Sequence, residues 1–191
     1  MNDETSNNKK TEIATLGAGC FWCTEAIFQL IKGVIKVTPG YSGGSIKNPS
    51  YYEVCQGTSG HAEVCQIIYD PEVITFDEIV EIFWLIHNPT ALNCQDYDIG
   101  PQYRSVIYYH NKEQELISME YKNILESSGA YSGSIVTEIE PFTEFYQAEI
   151  CHMNYYFLNA STPYSIYVIA PKLAQFSKAF KDKLKTAKAF N

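Results

Sequence analysis

Arginine is nearly absent: Arg104 is the only one in 191 residues. Acidic residues outnumber basic ones by 22 to 14, for a net charge of −8. A surface of that sign does not attract phosphate backbones, so no nucleic-acid partner is expected. No apolar run approaches the ~18 residues that span a bilayer, so no membrane partner is expected either. The first twelve residues, MNDETSNNKKTE, carry both signs of charge and no apolar stretch. They read as a frayed polar tail without a secretory signal, and the expected location is the cytoplasm. Internal repeats, low-complexity tracts and linkers are also missing. The expected organisation is therefore a single domain over residues 13–191, read as a monomer.

What is present is globular composition, with 46% hydrophobic and 19% charged residues. That is enough apolar material to build a core without covalent staples. The six cysteines are Cys20, Cys23, Cys55, Cys65, Cys94 and Cys151. In a cytosolic chain of this length they read as reduced thiols rather than a disulfide framework. Residues 171–191 hold six lysines and one aspartate, a net charge of +5, which leaves −13 on the rest. Leu173, Phe176, Phe180, Leu184 and Ala187 recur at spacings of three and four. The tail is thus predicted to be a helix from near Pro171 that docks one apolar face and exposes its lysines.

Periodicity and breakers give the remaining elements. Strands are predicted over 12–17, 34–38, 62–69, 104–109 and 135–140. Helices are predicted over 24–32, ended by Gly33, then over 76–87, 112–127 and 149–160. Residues 39–60 and 90–103 read as long polar loops, which in a compact domain tend to carry function. The order through residue 109 is β-α-β-β-α-β. It predicts an α+β two-layer sandwich with a ferredoxin-like split βαβ core and a C-terminal helical extension.

The strongest chemical signal is the run from Gly17 to Glu25, GAGCFWCTE, between a predicted strand and a predicted helix. A cysteine at a helix start faces free N–H groups and the positive end of the dipole. Both favour thiolate, so Cys20 is expected to have a lowered pKa and high reactivity. Cys23 lies three residues on, within disulfide reach in a first helical turn. A zinc site would want four ligands, and no second CxxC exists to supply them. Glu63 enters a strand with apolar alternation. If half-buried it could hold a proton at neutral pH, although on this segment alone the surface reading on an edge strand is the stronger. Tyr41, Tyr51 and Tyr52 read as packing. The acids Asp96 and Asp98 lack the closing Glu of a calcium loop. Arg104 reads as a structural fork for carboxylates or carbonyls.

Taken together, three segments carry a resemblance. GCFW at the strand-to-helix turn, NPSYYEVC with TSGHAEV, and DIGPQYRS resemble the peptide methionine sulfoxide reductase A family. TEIEPFTEFYQAE and PKLAQFSKAF agree with it further along, so the resemblance covers roughly residues 13–182. It implies that Cys20 is the nucleophile and that Phe21 and Trp22 form the pocket for the substrate S-methyl group. It implies that Glu63 protonates the sulfoxide oxygen, that Tyr51 and Tyr103 hydrogen-bond that oxygen, and that Asp98 supports the site. The implied activity is reduction of the S epimer of methionine sulfoxide, free or in oxidised proteins, with no cofactor or metal. Thioredoxin or a similar dithiol is the implied reductant.

One departure stands out. Many family members place resolving cysteines in the C-terminal segment, where this chain reads Pro163-Tyr164-Ser165-Ile166-Tyr167. The sequence instead resembles the GCFWC variety, in which the second cysteine, here Cys23, resolves. Cys151 and Cys94 remain open as alternatives. Two other readings compete: a general CxxC dithiol oxidoreductase, and a small metal- or redox-sensing module. The hairpin and long loops argue against the first. The second would need no acid and no tyrosines beside the thiols.

Overall fold

The computed structural model describes residues 10–186. In chain order the elements begin with β1 (Glu12–Ala18), α1 (Phe21–Phe28), β2 (Val34–Ser42), α2 (Tyr51–Cys55), β3 (Ala62–Tyr69) and α3 (Phe76–Leu85). They continue with β4 (Cys94–Gln95), β5 (Asp98–Ile99), β6 (Ser105–Tyr109), α4 (Lys112–Ser128), β7 (Glu138–Pro141), β8 (Phe145–Gln147), α5 (Tyr155–Leu158) and α6 (Ala170–Ala179). The main sheet runs β7-β6-β1-β3-β2-β8. Its inner four strands are antiparallel in the order β6-β1-β3-β2. That is the split βαβ arrangement, with β3 inserted between the two strands joined through α1. The α+β reading of the sequence is therefore correct.

Alternation along β3 explains which side holds the chemistry. Cys65, Ile67 and Tyr69 point into the main core with Phe21, Phe28, Ile79 and Phe83. Ala62 and Val64 point to the other face, where Phe142 and Phe145 cover them. Glu63 is in phase with Cys65 and so falls on the helix side, wholly buried. The period of two thus carries an acid into the layer between sheet and helices.

Several boundaries differ from the sequence expectations. α1 starts at Phe21, not Thr24, so Cys20 is its N-cap and Cys23 lies in its first turn. β2 continues past Thr38 to Ser42, because the added edge strand β8 pairs only with Gly40, Tyr41 and Ser42. Pro39 lies just outside that ladder and so its missing N–H is tolerated there. The first long loop contains α2, started by a Ser50–Glu53 capping box. The second contains the β4–β5 hairpin and a 3₁₀ turn over Pro101–Tyr103. The strand expected over 135–140 is only Glu138–Pro141, and the helix expected over 149–160 is a 3₁₀ turn at Ile150–His152 followed by α5. By contrast α4 has its predicted limits, with Asn111 capping Gln114 N–H and Gly129 left-handed at the end.

The tail helix is shorter than its pattern. It ends at Ala179, after which Leu184 bridges to Ile31 as extended chain. Leu173, Phe176, Phe180 and Leu184 still pack on the core, because Lys183 O accepts from Lys32 N at 2.9 Å and Leu30 O accepts from Lys185 N at 2.7 Å. Ala187 and the tail over 1–9 lie outside the described residues, whereas Glu12, placed in the tail on sequence, opens β1. Among the described residues no helix is long and apolar enough to cross a membrane.

Gly40 marks a close approach in the sheet. A Cβ there would meet the Tyr146 carbonyl oxygen at 2.4 Å and the Phe145 ring at 2.4 Å. Backbone on one side cannot yield, so β8 would have to move away. Gly40→Ala should cost about 1–3 kcal/mol, the usual range for overpacking. Urea unfolding checks this, and amide exchange at Phe145–Gln147 should rise with it.

Candidate active site

The β1–α1 turn brings the site together. Gly19 sits at φ +88°, and a Cβ there would meet the Gln95 side chain at 2.7 Å. Gln95 is locked in place by paired hydrogen bonds to Asn88, accepting from its N–H at 3.0 Å and donating to its carbonyl at 2.8 Å. The turn can therefore close only with glycine, and it delivers Cys20 to the end of α1.

Phe21 is held by β3 through both of its backbone groups. Its N–H donates to Glu63 Oε2 at 3.0 Å, and its carbonyl accepts from Cys65 Sγ at 3.4 Å. Glu63 is 1% exposed. Burial pushes its carboxyl well above the usual range, and the Cys20 charge pushes the same way against the Phe21 N–H. Burial thus favours the protonated acid, and it places Glu63 inside rather than on the surface.

Cys20 departs from its expectation. Burial pushes its thiol well above the ordinary value, and the hydrogen bond to Cys23 adds to this. The physical reason lies in the cap: the Cys20 side chain takes no capping N–H. Phe21 N–H, the first amide of the helix, goes to Glu63, and the buried sulfur has lost its water. Cys23 moves the other way, lowered by the hydrogen bond from Cys20 and by the Lys172 ammonium against its own desolvation. Lys172 is anchored to Asp96 at 2.6 Å. The two thiols are thus joined by a hydrogen bond, with burial opposing charge on Cys20 and the Lys172 ammonium favouring it on Cys23. All six cysteines are free thiols.

The other residues singled out by sequence converge here. Phe21 is fully buried, with its ring 6.2 Å from Trp22 and 6.3 Å from Tyr51. Tyr51 and Tyr103 are both shifted upward, first by burial and then by the Glu63 charge, which keeps them neutral donors. Tyr103 also packs on the Cys20–Cys23 cluster. Asp98 accepts the Tyr164 hydroxyl at 2.6 Å. Arg104 is the fork expected: it bonds Glu138, the Pro101 and Gly60 carbonyls and Tyr108. It ties the loop before β6 to the approach of β3. Cys151 is exposed on its 3₁₀ turn, and Cys94 is half-buried in β4.

Sequence reasoning missed the C-terminal contribution. Glu149 accepts from Tyr41 hydroxyl at 2.9 Å and from Tyr51 N–H at 2.7 Å. His152, whose pKa is lowered by burial, accepts from Trp22 Nε1 at 3.2 Å. Tyr155 lies flat on Trp22, with centroids 3.7 Å apart, and Tyr164 meets the same indole edge-on. The signal available was density: HMNYY and PYSIY are aromatic runs too polar for a core helix. Among the described residues no cluster of three His, Cys, Asp or Glu could hold a metal ion.

Comparison with known proteins gives one answer. The family described as peptide methionine sulfoxide reductase matches residues 12–184. A peptide methionine sulfoxide reductase MsrA from Saccharolobus solfataricus is 52% identical over 174 residues, 91% of this chain and 97% of that protein. The reduced form of Mxr1 from Saccharomyces cerevisiae superposes with TM-score 0.74 at 33% identity, covering 82% of this chain and 90% of the other. The same yeast protein in complex with Trx2 superposes with TM-score 0.53 at 25% identity, covering 78% and 87%. A buried thiol pair at a helix start, beside a buried carboxyl, thus occurs in a chain that belongs to the peptide methionine sulfoxide reductase family.

Proposed function

We propose that this protein reduces the S epimer of methionine sulfoxide, in oxidised proteins and as the free amino acid, and is regenerated by thioredoxin or a similar dithiol. The observation that carries the reading is Glu63: a buried acid kept protonated beside Cys20 by its own desolvation. A sulfoxide sulfur is a poor electrophile until its oxygen is protonated or hydrogen-bonded. Glu63 supplies the proton, and Tyr51 and Tyr103 supply neutral hydroxyls. Phe21 and Trp22 form the apolar wall for the S-methyl group, and Asp98 steadies the site through Tyr164.

The steps balance without a cofactor. Cys20 sulfur attacks the sulfoxide sulfur as its oxygen takes the Glu63 proton. Oxygen passes to Cys20, methionine leaves, and the Cys20 proton restores Glu63, so that thiol plus sulfoxide gives sulfenic acid plus thioether. Cys23 thiol then displaces water from the sulfenic acid to form the Cys20–Cys23 disulfide. A dithiol donor reduces that disulfide by exchange and is itself oxidised. Support for the reductant comes from the yeast relative, whose structure with Trx2 matches this chain. Repair of oxidised proteins in the cytoplasm is the physiological role that follows. A general dithiol oxidoreductase would have no use for the acid and two hydroxyls at its thiol.

Turnover of the two methionine sulfoxide epimers tests the assignment. Wild type should consume the S epimer only. Cys20→Ser should remove nearly all turnover in a folded protein, since a hydroxyl is a far weaker nucleophile. Consumption of neither epimer by wild type would end the proposal.

Glu63→Gln keeps the shape and the Phe21 contact but cannot release an acid proton. Its single-turnover rate should fall about 10²–10⁴-fold. The acid form of a carboxyl raised in this way exists below its folded pKa and is lost as pH rises through it. The wild-type rate should therefore have an alkaline limb that Glu63→Gln lacks. A wild-type rate in the variant would reduce Glu63 to a structural role.

Cys23→Ser separates resolution from reduction. It should still release about one methionine per enzyme while turnover with thioredoxin collapses, because exchange needs a disulfide. Peptide mapping of wild type after one equivalent of sulfoxide should find Cys20 joined to Cys23. A bridge from Cys20 to Cys151 or Cys94 would route the relay elsewhere.

A further inference from the structure

A second buried acid lies in α1, one turn beyond Phe21. Glu25 is 1% exposed, and neither catalysis nor resolution uses it. Both its oxygens leave the helix for the C-terminal segment. Oε1 accepts from Asn154 N–H at 2.8 Å, and Oε2 accepts from Tyr155 N–H at 3.2 Å. These are the first amides of α5, whose own N-cap, Asn154, makes no side-chain cap and sits left-handed at φ 52°. Gln29, next along α1, donates to Asn154 Oδ1 at 2.6 Å. Helix α1 therefore caps α5 from outside.

What the cap holds is an aromatic wall. Tyr155 follows directly and lies on Trp22 with ring planes 7° apart. His152, three residues earlier, accepts the Trp22 indole N–H. We propose that Glu25 is a positioning residue for the substrate pocket: it fixes the Asn154–Tyr155 backbone, which holds Tyr155 flat on Trp22 and so sets the wall that Trp22 presents to the S-methyl group. The proposal rests on the reading of Trp22 as that wall.

Two acceptors are needed for two N–H groups, so the charged carboxylate is the competent form. Burial raises the Glu25 carboxyl to about 7, against the pull of the Asn154 and Tyr155 amides. Above that pH both oxygens accept; below it a proton occupies one of them and one amide loses its partner. The wall is therefore firm at alkaline pH and loosens as pH falls through about 7. The other titratable groups around Glu25 are Cys65 on β3, itself pushed up by burial and then by Glu25, and Lys36 on β2, which lines the same cleft. His152 faces Phe21, Trp22 and Tyr51 instead, and Glu149 faces Tyr41 and Tyr51.

The test is single-turnover reduction of an end-blocked methionine-S-sulfoxide, read as half-saturating concentration and limiting rate from about pH 6 to about pH 8.5. The wild-type half-saturating concentration should rise about fivefold as pH falls, the effect of one hydrogen bond. Glu25→Gln, which has a single acceptor, should show the raised value at every pH with a limiting rate within about twofold of wild type. Trp22→Ala should raise half-saturation further, and adding Glu25→Gln to it should change nothing more. A wild-type value and pH profile in Glu25→Gln would overturn the proposal while Trp22→Ala still upheld the pocket. An unchanged value in Trp22→Ala would overturn the pocket reading and the proposal with it. Tyr155→Leu removes the ring without touching the buried acid and serves if Glu25→Gln does not fold. It too should show the raised, pH-independent value, and a wild-type profile there overturns the proposal equally.

Discussion

The hydrogen bond from Phe21 N–H to Glu63 is the contact on which the site depends. It joins the start of α1 to the middle strand β3 and fixes where Cys20 stands relative to the acid. It sets a buried carboxyl, rather than water, on the first amide of α1. The choice has electrostatic consequences. A protonated carboxyl gains a partner for its acceptor oxygen while retaining its proton, and the neighbouring thiol stays neutral. Burial pushes both groups toward their neutral forms, so two charges that would repel do not build up side by side. Under the proposed chemistry a sulfoxide takes the Glu63 proton where neutral hydroxyls stand close by.

Neutrality also suits the sheet beneath. Glu63 lies opposite Tyr41 across β2–β3, both on the helix face and both buried. A permanent carboxylate there would carry a desolvation cost of several kcal/mol. The protein avoids that by raising the pKa, and the raised pKa is the property the chemistry needs. Tyr41 in turn is anchored by Glu149, which also holds Tyr51 by its backbone. The exposed Glu149 carboxylate thus organises the hydroxyl-bearing residues around the fully buried acid.

Much of this was legible in the sequence because it depends on local pattern. The run AEVCQIIY placed β3 to the residue, although the segment alone favoured a surface position for Glu63. Helical spacing stopped by Gly129 gave α4 to within one residue. The β-α-β-β-α-β order fixed the sheet order of the inner strands. What could not be read depends on tertiary partners. Three-residue β8 has no periodicity to detect and exists because Gly40 lets Phe145 and Tyr146 approach. The lowered thiol pKa expected from a helix start failed because Cys20 is buried, and its desolvation outweighs the helix end. Glu25 closes the run GAGCFWCTE with nothing in the local pattern to mark it as buried. Its burial follows from the return of residues 153–155 over α1, which no local rule encodes.

The placement of the second thiol explains why that return can be so firm. A resolving cysteine carried by a C-terminal segment must travel to the nucleophile, so the segment has to stay loosely held. Here Cys23 sits in the same helical turn as Cys20 and needs no such journey. The C-terminal segment is then free to be fixed, and it is fixed at four places: Glu149 on Tyr41 and Tyr51, His152 on Trp22, Asn154 and Tyr155 on Glu25, and Tyr164 on Asp98. Ordering these side chains costs entropy at each anchor, offset by ring stacking and charge-assisted hydrogen bonds. Under the proposed relay the aromatic wall beside the thiols follows from a division of labour: α1 keeps both cysteines, and the C-terminal segment supplies shape.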